Sequence, residues 1–561
     1  MVSLKDLEKK IEKYLPPKEL WPEFKIPKDF YESLPQNLNL AEEILEKTAE
    51  KRKHKVAIYF EDQKYTYREL SELSNKLASA LTELGVEPLD RVAIRFSNIP
   101  EAVISNFGIL KTGALPVTLH PRWSKKEVLH VLNDSGAKLL ITEKDLLKEV
   151  NEVKSELKYL QNVIVVGDGE GYLSFGELIK KGSRKFEPVE VPKDSPGVLL
   201  YTSGTTGPPK GVVHFIPGIL TVVRNVGNYV WKLTDEDVFG SAAPITFALG
   251  YGGLALIPYY FGSAVSLMRQ PAPDYVFSMI EKHGVTVMSM APTWYRKTLP
   301  VLDKLLQKYD TSTVRLFTGG GEAFGADAIK AWYEKTGKMI AEGFGATELF
   351  YISISNAVAP KPKPGSIGMP VPGVEVNIVD PENFQPITEP RKEGLMLIKA
   401  PCGTVYWNPY AEDNKLLKKM KKDVLMKSVA LGDLAYKDEE GYIWFAGKGE
   451  DIIKSSGYRI GADEIEVTLM GHPAVDDAGV VGVPHPVRGE DVVAFVVLKK
   501  GYEASEKTKK EIYEYLQANL AKYKLPREIF FVESLPRHLT GKLLRRELKE
   551  IAKKMYTPKG D

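Results

Sequence analysis

Short apolar, β-branched runs alternate with helix-patterned stretches over most of this chain, and that alternation limits the folds open to it. Residues 91–96, 139–142, 163–166 and 285–290 read as strands. Stretches such as 67–84, with apolar residues at helical spacing, lie between them. Strand–helix alternation predicts parallel sheets covered on both faces. From Gly368 the pattern changes: 374–379 and 394–399 read as strands of a smaller β-rich unit, the first with clear alternation. A final unit begins near Gly447, with strands at 478–483 and 492–498 and a helix at 507–520. At 561 residues the chain exceeds one hydrophobic core and predicts about three or four domain-sized units.

One stretch, 238–268, carries no charge and is long enough to span a bilayer. It contains Pro244, Pro258, Gly250, Gly252, Gly253 and Gly262, and reads instead as a buried strand, helix and strand. Residues 1–6 begin a charged amphipathic helix without the apolar core of a signal peptide. Cys402 is the only cysteine, so no disulfide forms within the chain, which fits a reducing, cytoplasmic setting. The eight histidines have no ligand-like spacing, which argues against a transition-metal site. A phosphate-bound Mg²⁺ needs only one or two carboxylates and stays open. A net charge of +2 gives no bulk attraction to nucleic acid, and lysine-rich patches such as 415–422 read as solvated helix faces. Abundant Lys and Glu with scarce Gln resemble the bias of proteins from hot-living organisms.

Residues 199–214, LLYTSGTTGPPKGVVH, carry the chemistry. A short apolar strand leads into three glycines, four hydroxyls and Lys210. Glycines let the backbone approach a ligand closely, and successive free N–H groups make an anion-binding nest. This suits nucleotide phosphates. It is not the Walker loop, because Gly211 follows the lysine where that motif has Ser or Thr.

Four further segments matter. In 317–324, three glycines after a strand permit close approach to something flat. In 341–349, Phe344 can stack on a purine, Thr347 can bond a phosphate and Glu348 can hold Mg²⁺. Asp433, after Gly432, is placed to accept from ribose hydroxyls. Lys542 follows a flexible Thr540-Gly541 near the end of the sequence. Alone, each of these also fits an ordinary turn or a surface lysine.

In this order and at these spacings, the segments closely resemble the adenylate-forming superfamily. It includes acyl- and aryl-CoA synthetases, firefly-type luciferases and the adenylation domains of peptide synthetases. The resemblance runs from the YTYREL at 65–70 to Lys542. It implies a large N-terminal α/β domain, 1–447, of two doubly wound sheets plus a small distorted β-barrel at about 368–447. A small mobile α+β domain, 448–561, follows a hinge at about 447–451. It implies ATP, Mg²⁺ and coenzyme A. A carboxylate attacks the α-phosphate to give acyl-AMP and pyrophosphate, and a thiol then displaces AMP. One hard step becomes two easier ones.

The family's roles then fall on Thr202, Ser203, Gly204, Thr205, Thr206, Gly207 and Lys210 for the β- and γ-phosphates. Gly321, Glu322 and Ala323 match the adenine-side loop. Phe344 and Gly345 match the stacking segment, Thr347 the α-phosphate contact, Glu348 the Mg²⁺ carboxylate and Asp433 the ribose ligand. Lys542 matches the lysine that bridges the acyl carboxylate and the α-phosphate. Gly457, with Arg459 beside it, matches the pantetheine tunnel. Two departures stand out. Lys448 replaces an arginine, keeping charge but losing the planar fork, and Glu450 takes the hinge aspartate's place. Thr246, Phe247, Ala248, Gly250, Tyr251 and Gly320 match the acid pocket. No Arg or Lys lies in 243–251 to pair with a second carboxylate. The start at 15–23 resembles benzoate and aminobenzoate CoA ligases, while Thr246 and Tyr251 can equally receive the hydroxyl of a short acid such as 4-hydroxybutyrate. A carrier-loading adenylation module, a luciferase-like oxygenase and a nucleotide sensor share most of these motifs.

Overall fold

The computed structural model describes residues 9–202, 208–322, 324–408, 427–448, 452–455, 458–485, 489–520, 524–537 and 543–557. Among these, two large sheets form the body. The first has seven strands. Leu115–Thr118, Arg91–Arg95, Leu139–Glu143, Asn162–Val166 and Leu173–Ser174 run parallel to Pro196–Tyr201, and Gly211–Phe215 turns back antiparallel at the edge. The second has nine. Its parallel centre contains Ile340–Gly345, Leu316–Gly320, Val287–Ser289, Val238–Ser241, Ala264–Leu267 and Val56–Phe60. Arg91–Arg95 is buried at every position, as expected of a strand covered on both faces.

Helix Tyr67–Glu83 starts with a capping box built by Thr66 and Glu69 and presents Leu70, Leu77 and Leu81 to the core shared by both sheets. The uncharged stretch resolves into Val238–Ser241, helical turns from Ala248 to Phe261, and Ala264–Leu267. Its glycines are contact points. A Cβ on Gly252 would lie 2.4 Å from the Tyr351 ring, and one on Gly253 2.7 Å from Phe239. Among the described residues, no helix is long and apolar enough to cross a membrane.

A four-stranded antiparallel sheet follows, built from Glu375–Val379, Gly394–Lys399, Val429–Lys437 and Ile443–Lys448. The last unit has its own five-stranded sheet and its own core around Ile453, Ile465, Val480 and Ile512. Its long hairpin pairs Val475–His485 with Gly489–Leu498.

Candidate active site

Strand Pro196–Tyr201 is buried along its length and ends where the glycine-rich loop begins. Two hydrogen bonds close the loop's neck. Thr202 N–H donates to the Lys210 carbonyl at 3.0 Å, and Lys210 N–H donates to Thr202 Oγ1 at 3.1 Å. The Tyr201 phenol donates at 2.6 Å to Asp134 Oδ2. Burial, with that carboxylate beside it, holds the phenol's pKa well above the usual range. Asn408 Nδ2 and Trp407 Nε1 donate to Asp134 as well, so the neck is tied to helix Lys125–Ser135. Ser203, Gly204, Thr205, Thr206 and Gly207 lie outside the described residues.

Leaving the loop, Val212 bridges Tyr406, and the Tyr406 hydroxyl donates at 3.1 Å to Glu348 Oε1. Glu348 sits half-buried on the turn Thr347–Leu349. That turn ends at Phe350, with φ 70° and ψ −48°, a region that costs a non-glycine residue about 1–3 kcal/mol. The Phe350 ring is fully buried against His214, 5.0 Å away, and Tyr251, 6.4 Å away. That packing offsets the strain. Burial lowers the His214 pKa to about 3, with the Thr347 backbone opposing only some of the shift.

The segment matched to the adenine-side loop follows Gly320, matched to the acid pocket, at two strands in backbone contact. Gly320 pairs with Gly343, and a Cβ on Gly320 would lie 2.1 Å from the Gly343 carbonyl oxygen. Gly321 follows with φ 99°. The Glu322 carboxylate accepts from Thr293 Oγ1 at 2.6 Å and Arg296 at 3.1 Å. Its side chain thus anchors the loop to helix Pro292–Thr298. Ala323 lies outside the described residues. Phe344 is half-buried, with its ring 6.2 Å from Phe445. Gly345 abuts the Tyr351 carbonyl, which a Cβ would approach to 2.5 Å. Asp433 is buried and stands opposite Lys448 in the sheet. Arg459 lies in strand Tyr458–Gly461, opposite Lys454. Glu450, Gly457 and Lys542 lie outside the described residues.

In the acid segment, the Phe247 ring packs 4.8 Å from His120 and edge-on to Trp123 at 6.2 Å. Thr246 is buried and its Oγ1 has no hydrogen-bond partner. Ala248 opens the short helix Ala248–Tyr251, and a Cβ on Gly250 would lie 2.0 Å from the Pro244 carbonyl oxygen. Tyr251 differs from the expectation. It is fully buried, and its phenol donates to Asn106 Oδ1 at 2.6 Å, which engages the hydroxyl in the core. His120 follows strand Leu115–Thr118 and Phe247 follows Val238–Ser241. Loops from the carboxyl ends of both sheets therefore meet here, where open α/β sheets bind ligands.

Sequence reasoning missed Thr293, Arg296, Glu342, Tyr406, His120 and Trp123. Only the i, i+3 spacing of Thr293 and Arg296 after Pro292 was a local signal. Among the described residues, no group of three or more His, Cys, Asp or Glu is arranged around a metal. The single carboxylate of Glu348 fits a phosphate-bound Mg²⁺, which needs only one or two protein carboxylates.

The model of the AMP-binding enzyme family matches residues 45–406, and that of its C-terminal domain matches 464–542. The chain is 35% identical over 541 residues to the acetyl-coenzyme A synthetase of Bacillus subtilis, covering 93% of this chain and 92% of that protein. It is 31% identical to the mouse mitochondrial acyl-coenzyme A synthetase ACSM3, covering 93% and 92%. Among solved structures, it superposes on the anthranilate CoA ligase AuaEII in complex with anthranoyl-AMP with a TM-score of 0.86 at 31% identity, covering 93% of this chain and 99% of that one. The benzoate CoA ligase of Burkholderia xenovorans LB400 gives 0.81 at 29%, covering 91% and 100%. The chain belongs to the AMP-binding enzyme family, within its AMP-forming acyl- and aryl-CoA ligases. Members use ATP, Mg²⁺ and coenzyme A.

Proposed function

We propose that this ligase activates a small monocarboxylic acid with an uncharged tail, of the benzoate or 2-aminobenzoate type or a short aliphatic or hydroxy acid. The carrying observation is the Phe247 ring set against His120 and Trp123. Aromatic rings favour flat, apolar ligands. The unpartnered Thr246 Oγ1 offers a receiver for one hydroxyl or amino substituent. The anthranilate and benzoate ligases among the structural neighbours support the aromatic arm, and the acetyl-CoA synthetase supports the short one.

In the first half-reaction a carboxylate oxygen bonds to the α-phosphorus of ATP, and the bond to pyrophosphate breaks. In the second, the thiol sulfur of coenzyme A bonds to the acyl carbon, the bond to AMP breaks and the thiol proton leaves. Residues 202–210 hold the β- and γ-phosphates, Thr347 the α-phosphate, Phe344 the adenine and Asp433 the ribose. Glu348 holds Mg²⁺, which when bound neutralises phosphate charge. Lys542 stabilises charge developing on the α-phosphate. The unit 448–561 pivots at about 447–451 to present Lys542 first and then Gly457 and Arg459. The lone, buried Cys402 supports a cytoplasmic setting.

The test is coenzyme A-dependent AMP release across aromatic, short aliphatic and hydroxy acids. One AMP per acyl-CoA with a small monocarboxylate supports the reading. Preference for a dicarboxylic or long-chain acid contradicts it.

A further inference from the structure

We propose that Glu342 is a positioning residue for ATP: its carboxyl group, held inside the protein, fixes the backbone at Phe324, beside Gly321 and Glu322, and thereby sets nucleotide affinity. This rests on reading that segment as the adenine side.

Glu342 is 3% exposed and lies in strand Ile340–Gly345, opposite Gly319. The paired residue, Gly319, carries no side chain. A Cβ on Gly319 would lie 1.9 Å from the Met290 carbonyl oxygen. Glu342 Oε1 accepts from the Phe324 N–H at 3.3 Å, and Oε2 is buried without a partner. A charged carboxylate with one bare oxygen is costly in such a place. Burial raises its pKa to about 8, against the pull of the Phe324 N–H and of Arg296. Both the burial and the bare oxygen favour the uncharged acid over the carboxylate.

The loop is gripped from two sides. Glu322 ties one end to Thr293 and Arg296 on helix Pro292–Thr298, and Glu342 holds the other through Phe324. The loop's outer end meets the C-terminal unit, since a Cβ on Gly325 would lie 3.1 Å from Val467 Cγ1. The charged groups around the cluster are Arg296, Glu322 and, from the C-terminal unit, Arg537, which interacts electrostatically with Glu322. On the neighbouring strand Ile352–Ser355, the Ser355 hydroxyl donates to the Glu342 carbonyl. Arg296 is already paired with Glu322, so neutral Glu342 leaves that pair intact, whereas ionised Glu342 adds a second negative charge beside it.

The experiment is pyrophosphate exchange, reading KM for ATP and for the acid in the wild type, Glu342→Gln and Glu342→Ala, from about pH 6 to about pH 10. In the wild type, KM for ATP should rise as pH passes about 8. Glu342→Gln, a neutral isostere, should keep the neutral-pH value and lose the rise. Glu342→Ala should raise KM for ATP about three- to ten-fold at neutral pH and leave KM for the acid unchanged. An alkaline rise that persists in Glu342→Gln, or unchanged ATP affinity in Glu342→Ala, overturns the proposal. If the alanine variant does not fold, the glutamine profile decides alone. Phe344→Ala separates the layers. If it weakens ATP binding while both Glu342 variants are silent, only Glu342's role falls. If all three are silent, the adenine-side assignment falls too.

Discussion

Glu348 keeps its carboxylate in a half-buried turn, where the Tyr406 hydroxyl holds one oxygen. Glu348→Gln preserves the shape and that hydrogen bond but removes the charge. The Mg²⁺ concentration for half-maximal ATP turnover should rise at least about ten-fold, the scale of a lost charged contact. An unchanged requirement would make Glu348 a structural residue. His214 behaves differently. Its folded pKa is lowered from 6.5 to about 3, so the unfolded chain takes up a proton that the native protein refuses. The stability it contributes is present above about pH 6.5 and is lost as pH falls toward 3. Thermal unfolding followed from neutral to acid pH should therefore be less pH-dependent in His214→Leu than in the wild type. Equal slopes would show that His214 does not drive acid sensitivity.

At the level of elements, the site depends on strands that touch without side chains. Gly320→Ala places a methyl 2.1 Å from the Gly343 carbonyl oxygen and must push the paired strands away from each other, a cost of at least about 1–3 kcal/mol. Gly432→Ala is the control. It meets no atom within 4 Å, but φ 82° strains it by about 1–2 kcal/mol. Chemical denaturation should rank Gly320→Ala as the more damaging, with ATP affinity reduced as well; the reverse order would mean that the strand pair yields. Much of this level was legible in sequence. Residues 394–399 read as a strand and form one, Gly394–Lys399. The run 285–290 shortens to Val287–Ser289 because Val285 N–H bonds back to Ile280, closing the preceding helix at Gly284. The motifs read as nucleotide-binding stand out in the sequence because each is a short contiguous run. The supports do not. Glu342 meets Phe324, and Thr293 meets Glu322, only after strand register aligns them, and no local pattern encodes that. Tyr251 misled for the same reason: its partner Asn106 is remote in sequence.

At the scale of the molecule, the proposed division of labour makes the segment at 447–451 a pivot. Proline at Glu450 fixes φ near −65° and should slow thiol transfer more than acyl-AMP formation. Single-turnover measurement of each step checks this, and equal slowing would argue against a pivot. The Lys- and Glu-rich composition predicts a melting temperature above the mesophilic range of about 45–65 °C; a calorimetric midpoint inside that range would contradict it. The central claim is that a lysine from the far end of the chain completes the site begun by the loop at 202–210. Its direct test is Lys542→Ala, with the two half-reactions measured separately. Acyl-AMP formation should fall roughly a hundred- to thousand-fold, the scale of one lost transition-state contact, while transfer from supplied acyl-AMP to coenzyme A stays near the wild-type rate. Equal loss of both steps, or no loss of the first, would contradict the account.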